Sequence, residues 1–263
     1  MPLKQLNTFG IEVFAKYFAT FSNTEMLYDI ITREDIIGMP KLVLGGGSNV
    51  LFTRDFAGLV LKNDIKGIEK INEDNEHVFI KAGAGENWHR FVLYCLAKEY
   101  AGVENLALIP GNVGASPMQN IGAYGVEIKD VFFSLEAFDL EEKRLVSFSK
   151  EQCAFGYRES VFKNKYKGRF IITSVIYKLF KQPKLNTSYG AIEEELKKMH
   201  VTNKTINDVA QAVINIRTSK LPDPAEIGNA GSFFKNPEVE SSLFNSLKEV
   251  HPGIVGYTLE MVK

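Results

Sequence analysis

Apolar residues recur along the chain with two alternating periods, and each period predicts a different kind of element. Behind Asn23, apolar side chains return at helical spacing through Leu27 and Ile31, which predicts a capped helix. Residues 77–82 alternate between apolar and polar, which predicts a strand. Beyond residue 86 the period is helical again, and five residues form one apolar stripe: Trp88, Phe91, Val92, Cys95 and Leu96.

The same interleaving of strands and helices continues to residue 220. Short apolar or alternating runs predict further strands at residues 41–44, 50–52, 59–61, 132–138, 144–148 and 170–179. Helical spacing predicts one helix through Ile192 and Leu196 and another from Ile206 onward. Leu221-Pro222-Asp223-Pro224 ends that helix and forms the best candidate linker, because proline cannot continue a helix. This order of elements predicts an α+β fold.

Composition and charge exclude several classes of protein. Hydrophobic residues make up 45% and charged residues 24% of the chain, as in packed globular proteins. The net charge of -1 offers no basic surface to nucleic acid or to an anionic membrane. Without a signal peptide or an apolar run of membrane-spanning length, we expect a cytoplasmic protein, and we expect a monomer. Cys95 and Cys153 are too few and too far apart for a disulfide framework or a metal site, and are interpreted as buried thiols.

The first candidate for chemistry is the glycine-rich loop Gly45-Gly46-Gly47-Ser48-Asn49, which follows a predicted strand. Glycine permits positive φ and lets backbone N–H groups converge on an anion, while Ser48 and Asn49 add side-chain donors. A tight turn between two strands explains the same residues equally well. The loop lacks the Gly-Lys-Ser/Thr ending of a nucleoside-triphosphate loop, and residues 83–88 lack the third glycine of the dinucleotide fingerprint.

A second loop, residues 110–125, is also rich in Gly, Ala and Ser. Ordering such a segment costs conformational entropy, which is tolerable where a large flat group lies directly on the backbone. A flavin ring with its pyrophosphate is such a group. A solvated loop is the alternative, but the apolar residues Val113, Met118, Ile121 and Tyr124 argue against full exposure.

Five motifs in a fixed order resemble the UDP-N-acetylenolpyruvoylglucosamine reductase family. They are Gly-Gly-Gly-Ser-Asn-Val-Leu at 45–51, the loop at 110–125, Tyr157-Arg158-Glu159-Ser160, Lys220-Leu221-Pro222-Asp223-Pro224, and Gly231-Ser232-Phe233-Phe234-Lys235-Asn236-Pro237. The resemblance covers essentially the whole chain. Ser188-Tyr189-Gly190 resembles the lid of the subtype that carries a tyrosine there.

The resemblance implies a two-part FAD-binding fold, similar to that of the PCMH and vanillyl-alcohol oxidase proteins, followed by a C-terminal substrate domain. On this basis we expect FAD-binding subdomains at residues 1–66 and 67–221 and the start of a substrate domain at residues 222–263. It also implies the reaction. NADPH passes a hydride to FAD, and the hydride then reaches the enolpyruvyl double bond of a UDP-sugar ether.

The same resemblance assigns roles to individual residues. Arg158 matches the cation that stabilises the negative charge developing on the substrate, and Ser232 matches the proton donor. The residues implied for FAD binding are Gly45, Gly46, Gly47, Ser48, Asn49, Gly114, Ala115, Ser116, Gln119, Asn120, Gly122, Ala123 and Gly125. Those implied for substrate binding are Tyr189, Arg217, Lys220, Asn236 and Tyr257.

Each role has a structural alternative. Taken outside its motif, Arg158 is explained by pairing with Glu159 or with a backbone carbonyl. Ser232 is explained by a hydrogen bond to its own loop. Arg217 and Lys220 suit the negative end of a helix dipole. Trp88 and His89 are interpreted as packing residues without a role.

The chain's end sets up competing functions. Family members continue past the position of Lys263 and carry a late catalytic glutamate, so we expect a truncated chain with an incomplete substrate domain. A shortened protein that binds FAD and a UDP-sugar without turnover is one alternative, and an FAD-linked oxidase acting on another substrate is a second.

Overall fold

The protein is described by a computed structural model that covers residues 1–231 and 234–256. By its internal contacts the chain forms two compact units, Met1–Gly231 and Ser232–Lys263. The larger unit contains a three-stranded, a five-stranded and a two-stranded sheet together with helices, so the predicted α+β class is confirmed. The division into parts at residues 66 and 221 stays a prediction.

The three-stranded sheet is parallel, with the strand order β1-β3-β2. Its strands are β1 Ala15–Phe21, β2 Lys41–Leu44 and β3 Phe56–Asn63. Helix α1, Thr24–Ile31, connects β1 to β2, and the Asn23 side chain caps it by accepting from the Met26 N–H at 2.8 Å. The predicted helix and its cap are therefore confirmed.

The middle of strand β3, residues 59–61, is apolar because both faces of the strand are covered. Successive side chains of a strand point to opposite faces. Leu59 and Leu61 join a buried cluster with helix α1 and with Phe138 of the larger sheet, whereas Val60 joins a cluster on the other side. Asn63 donates to the Ile172 carbonyl at 2.9 Å. The two sheets are thus joined by apolar packing and by a buried hydrogen bond.

The five-stranded sheet is antiparallel and has the order β4-β5-β10-β8-β9. Its strands are β4 Ile68–Glu73, β5 His77–Gly83, β8 Phe132–Asp139, β9 Arg144–Ser149 and β10 Phe170–Phe180. A two-stranded ribbon within the second glycine-rich loop consists of β6 Gly122–Ala123 and β7 Val126–Glu127. The remaining helices are α2 Trp88–Ala97, α3 Ile128–Val131, α4 Lys150–Cys153, α5 Gly190–Lys198, α6 Ile206–Lys220 and α7 Ser241–Val250.

Most predicted elements are confirmed, and the exceptions have physical reasons. The strand predicted at residues 50–52 is wrong, because Leu51 is half exposed and only Phe52 turns into the core. Strand β4 was not predicted, since it is an edge strand whose side chains are almost all exposed and polar. The apolar stripe of helix α2 is entirely buried, as predicted.

Both cysteines are buried, as their interpretation requires. Burial raises the pKa of the Cys95 thiol, and it raises the pKa of the Cys153 thiol to about 12. Neither thiol is a thiolate near neutral pH. Among the described residues, no helix is long and apolar enough to cross a membrane.

We expect Tyr177→Phe to lower the free energy of unfolding by about 1–3 kcal/mol. The Tyr177 hydroxyl and Ser116 Oγ lie 2.8 Å apart in the core, so the variant leaves the buried Ser116 hydroxyl without its partner. Urea unfolding measures the change. Tyr28→Phe is the control, because Tyr28 is exposed on α1. Equal unfolding midpoints for the two variants would show that the buried pair contributes nothing.

Candidate active site

The two glycine-rich loops meet backbone to backbone. A Cβ atom added at Gly46 would lie 3.0 Å from Gly111 Cα, and one added at Gly111 would lie 3.0 Å from Ser48 Oγ. Gly111 has φ +113°, a conformation that favours glycine. The Asn49 side chain adds a hydrogen bond of 3.0 Å to Gln119 Oε1. The structure therefore brings together Gly46, Ser48 and Asn49 of the first loop with the second loop.

The first loop has backbone donors that the protein does not use. In the described part of the chain, the N–H groups of Gly46, Gly47, Ser48 and Asn49 donate to no backbone carbonyl. Gly47 has φ +64°, and its carbonyl accepts from the Thr8 N–H at 3.1 Å. Successive free N–H groups around a positive-φ residue form a concave site for an anion.

Two polar groups beside this loop were missed by sequence reasoning. Lys62 on β3 is half-buried and donates to the Gly45 carbonyl, and burial lowers its pKa. Its signal was a lysine at the end of an otherwise apolar strand. The Thr8 hydroxyl is buried and has no hydrogen-bond partner among the described residues. An unpaired buried hydroxyl is costly unless a ligand or water satisfies it.

Several predicted residues of the second loop use their polar groups inside the protein. The Gly114 N–H donates to the Ala84 carbonyl at 2.9 Å, and Ala115 lies beside it in a turn of 3-10 helix. Ser116 pairs with Tyr177, as described above. Asn120 is fully buried at φ +43°, and its side chain donates to Glu127 and to the Gly156 carbonyl and accepts from the Lys129 N–H. Ser116 and Asn120 therefore shape the loop from within.

Arg158 is held against the same loop. Its guanidinium donates to the Asn120 carbonyl at 3.3 Å and to the Gly122 carbonyl. A Cβ atom at Gly122 would lie 2.8 Å from Arg158 Nη1 and 2.9 Å from the Val126 carbonyl oxygen, and that backbone contact favours glycine there. The neighbouring Ser160 hydroxyl donates to the Met118 carbonyl at 2.6 Å. The motif at residues 157–160 is thus fastened to the second loop.

Two of the predicted substrate residues meet around Tyr124, which sequence reasoning had treated only as an apolar member of the loop. The rings of Tyr124 and Tyr189 pack edge to face with centroids 5.4 Å apart. Burial lowers the pKa of the Arg217 guanidinium, and the neighbouring Tyr124 hydroxyl opposes this shift through its charge and a hydrogen bond. Arg217 Nε also donates to the Leu108 carbonyl at 3.2 Å.

The lid segment that carries Tyr189 is tied to the end of the second loop. The buried Asn105 amide donates to the Tyr124 carbonyl at 3.0 Å and to the Asn186 carbonyl at 2.9 Å. Asn186 in turn donates to the Gly125 carbonyl at 3.1 Å. Ala123 lies in the β6 strand between these contacts and Arg158.

Of the other predicted residues, two are exposed and two lie outside the described chain. Lys220 is the last residue of α6 and is exposed. Asn236 is exposed and belongs to the smaller unit. Ser232 and Tyr257 lie outside the described residues.

This fold and its paired loops define the class of protein. The FAD binding domain family matches residues 15–148. UDP-N-acetylenolpyruvoylglucosamine reductase from Amoebophilus asiaticus is 51% identical over 97% of this chain and 75% of the relative. The enzyme of that name from Flavobacterium johnsoniae is 50% identical over the same shares. The crystal structure of the Thermus caldophilus reductase is 24% identical and supports the fold, with a TM-score of 0.64 over 94% of this chain and 78% of that one.

The chain belongs to the UDP-N-acetylenolpyruvoylglucosamine reductase family. The expected two-part FAD-binding fold of the PCMH type is thereby confirmed, and the FAD-linked oxidase alternative is not favoured. The residues present fit FAD. The Gly46 backbone lies against Gly111, and the N–H groups of residues 46–49, which donate to no backbone carbonyl in the described chain, suit a pyrophosphate.

We expect Gly46→Ala to weaken FAD binding by on the order of tenfold, the equivalent of about one hydrogen bond to a charged group. The added methyl group would press on the Gly111 backbone, which cannot turn aside as a side chain can. Flavin content after purification and FAD titration measure the effect. Gly253→Ala is the control, since nothing lies within 4 Å of the added atom. Native flavin affinity in the Gly46 variant would show that the contact between the loops does not shape the site.

Proposed function

We propose that this chain reduces the enolpyruvyl ether of a UDP-sugar, UDP-N-acetylglucosamine enolpyruvate, to UDP-N-acetylmuramate, with NADPH as the reductant. The family is that of an FAD-dependent reductase of peptidoglycan synthesis. One observation carries the proposal for this chain's own residues. A guanidinium, that of Arg158, is fastened by two backbone carbonyls to the loop expected to hold FAD.

When bound between the two glycine-rich loops, FAD would supply hydride transfer between NADPH and the enolpyruvyl double bond. Hydride addition at one carbon drives negative charge toward the substrate carboxylate. Arg158 stabilises that charge, because a cation held in place before the reaction needs no reorganisation as the charge develops. Its two bonds to the carbonyls of Asn120 and Gly122 hold the guanidinium, and within the described residues these use two of its five N–H donors.

Ser232 supplies the proton at the neighbouring carbon. The residues before it support this role, although Ser232 itself lies outside the described residues. The Asn229 N–H donates to the Thr8 carbonyl at 3.0 Å, and Asn229 Oδ1 accepts from the Gly231 N–H at 2.9 Å. A Cβ atom at Gly231 would lie 4.0 Å from Pro110, the first residue of the second loop. The last described residue before Ser232 therefore lies beside the start of that loop.

The substrate is bound by five residues: Arg217, Tyr189, Lys220, Asn236 and Tyr257. Arg217 supports this assignment because its guanidinium is largely desolvated and, among the described residues, faces a tyrosine and a carbonyl rather than a carboxylate. A buried cation without a carboxylate partner is costly, and a bound phosphate would offset that cost. NADPH and nucleotide-activated sugars are cytoplasmic metabolites, so we also propose a cytoplasmic location. The monomeric state stays a prediction.

We expect Ser232→Ala to slow substrate reduction by on the order of 10²–10⁴-fold while leaving flavin reduction by NADPH nearly unchanged. The serine acts only after the hydride has reached the substrate. Stopped-flow absorbance of the flavin follows the two half-reactions separately. Ser242→Ala is the matched control, an exposed serine on α7. If both half-reactions slow equally in the Ser232 variant, the residue serves binding or folding and the proton comes from another group.

A further inference from the structure

The first turn of helix α2 holds the segment that leads into the second glycine-rich loop. The Trp88 N–H donates to the Gly111 carbonyl at 3.0 Å, and the Trp88 indole donates to the Leu106 carbonyl at 2.8 Å. His89 Nδ1 accepts from the Leu108 N–H at 3.1 Å. Two neighbouring residues of one helix therefore hold residues 106–111 at three points, two through side chains and one through the Trp88 backbone. Sequence reasoning had interpreted both as packing residues.

Leu108 is the residue in this segment that most needs support. Its φ of 56° is uncommon for a residue with a bulky side chain. Such a conformation persists only where the surroundings determine it. Both backbone polar groups of Leu108 are bound by side chains, the N–H by His89 and the carbonyl by Arg217 Nε at 3.2 Å. The N–H belongs to the peptide between residues 107 and 108 and the carbonyl to the peptide between 108 and 109, so a change in the φ and ψ angles of Leu108 would disturb both hydrogen bonds.

The contacts continue from Leu108 to the residues proposed to bind the substrate. Arg217 interacts with the Tyr124 hydroxyl, and the Tyr124 ring packs against the ring of Tyr189. The orientation of the Leu108 carbonyl thus determines where one guanidinium lies, and the guanidinium contacts the tyrosine that supports the lid.

We propose that His89 is a positioning residue of the substrate site, which acts by holding Leu108 in its positive-φ conformation so that the Leu108 carbonyl orients Arg217 against Tyr124. The inference rests on the proposed function, because that function gives Arg217 and Tyr189 their substrate. The proposed role of His89 does not require contact with the substrate, because its own hydrogen bond is to a backbone N–H.

The chemistry of the imidazole suits this role. To accept from an N–H, Nδ1 must carry a lone pair, so the ring is neutral with its proton on Nε2. His89 is half-buried, and burial lowers its pKa, which favours the neutral ring. An asparagine offers its Oδ1 near the position of Nδ1, whereas a glutamine carries its oxygen one bond further out. A comparison of the asparagine and glutamine variants therefore shows whether the position of the acceptor matters or only the polarity of the side chain.

The test compares His89→Asn, His89→Gln and His89→Leu in the full protein with its FAD. Hydrogen exchange at the Leu108 amide measures the contact without any substrate. Steady-state kinetics with NADPH and the enolpyruvyl UDP-sugar measure its consequence, and stopped-flow measures flavin reduction by NADPH alone. The matched polar control is Asn72→Gln on the exposed strand β4.

We expect Leu108 exchange to accelerate on the order of tenfold in the Gln and Leu variants and to stay near native in the Asn variant. The KM for the enolpyruvyl substrate should rise by on the order of tenfold in the same two variants, with flavin reduction by NADPH unchanged. Rescue by asparagine alone would support a positioned acceptor. If the Leu variant does not fold, the Asn and Gln pair still decides the question.

Three results would overturn the proposal. Native exchange at Leu108 in the Gln variant would show that His89 does not hold this peptide. Faster exchange with an unchanged KM would show that the peptide does not position the substrate residues. Equal losses in both half-reactions would mark His89 as a general structural residue. If the native protein itself fails to reduce the substrate, the proposed function is wrong, while the exchange data still report on the contact.

Discussion

The two glycine-rich loops approach closely at Gly46 and Gly111: a Cβ atom added at Gly46 would lie 3.0 Å from Gly111 Cα, and one added at Gly111 would lie 3.0 Å from Ser48 Oγ. Strand β2 of the parallel sheet leads into the first loop, and the antiparallel sheet and helix α2 support the second loop. The contact between the loops therefore joins these two parts of the structure. It leaves the N–H groups of residues 46–49 without backbone partners in the described chain. The cofactor site therefore depends on the contact between the two loops, which is made at two glycines rather than by packed side chains.

Backbone strain is concentrated around the second loop. Eight described non-glycine residues have positive φ, and four of them lie in this loop or contact it: Leu108, Asn120, Tyr124 and Arg158. Each is held by contacts to other elements, so the strain is offset by hydrogen bonds and packing from outside the loop. The result is a preorganised surface, in which Arg158 and Arg217 have defined positions before a ligand arrives.

The sequence was sufficient for elements whose burial follows a simple period. Helix α2 and strand β5 were predicted because alternate or helically spaced residues are buried, whereas β4 was missed because its exposed polar residues carry no such pattern. Motifs identified the loops but not the direction of each side chain. Ser116 and Asn120 lie in the predicted loop, but their side chains bond to the protein interior. His89 accepts a hydrogen bond from a backbone N–H nineteen residues away, which no local spacing in the sequence reveals.

The central claim is that the free N–H groups of the first loop bind the FAD pyrophosphate. Hydrogen exchange of the amides at residues 46–49, compared with and without FAD, tests it most directly. The account predicts that FAD slows exchange there by about tenfold or more, while the exposed amides of helix α7 keep their rates. Unchanged exchange at residues 46–49 in a protein that has demonstrably bound FAD would contradict it.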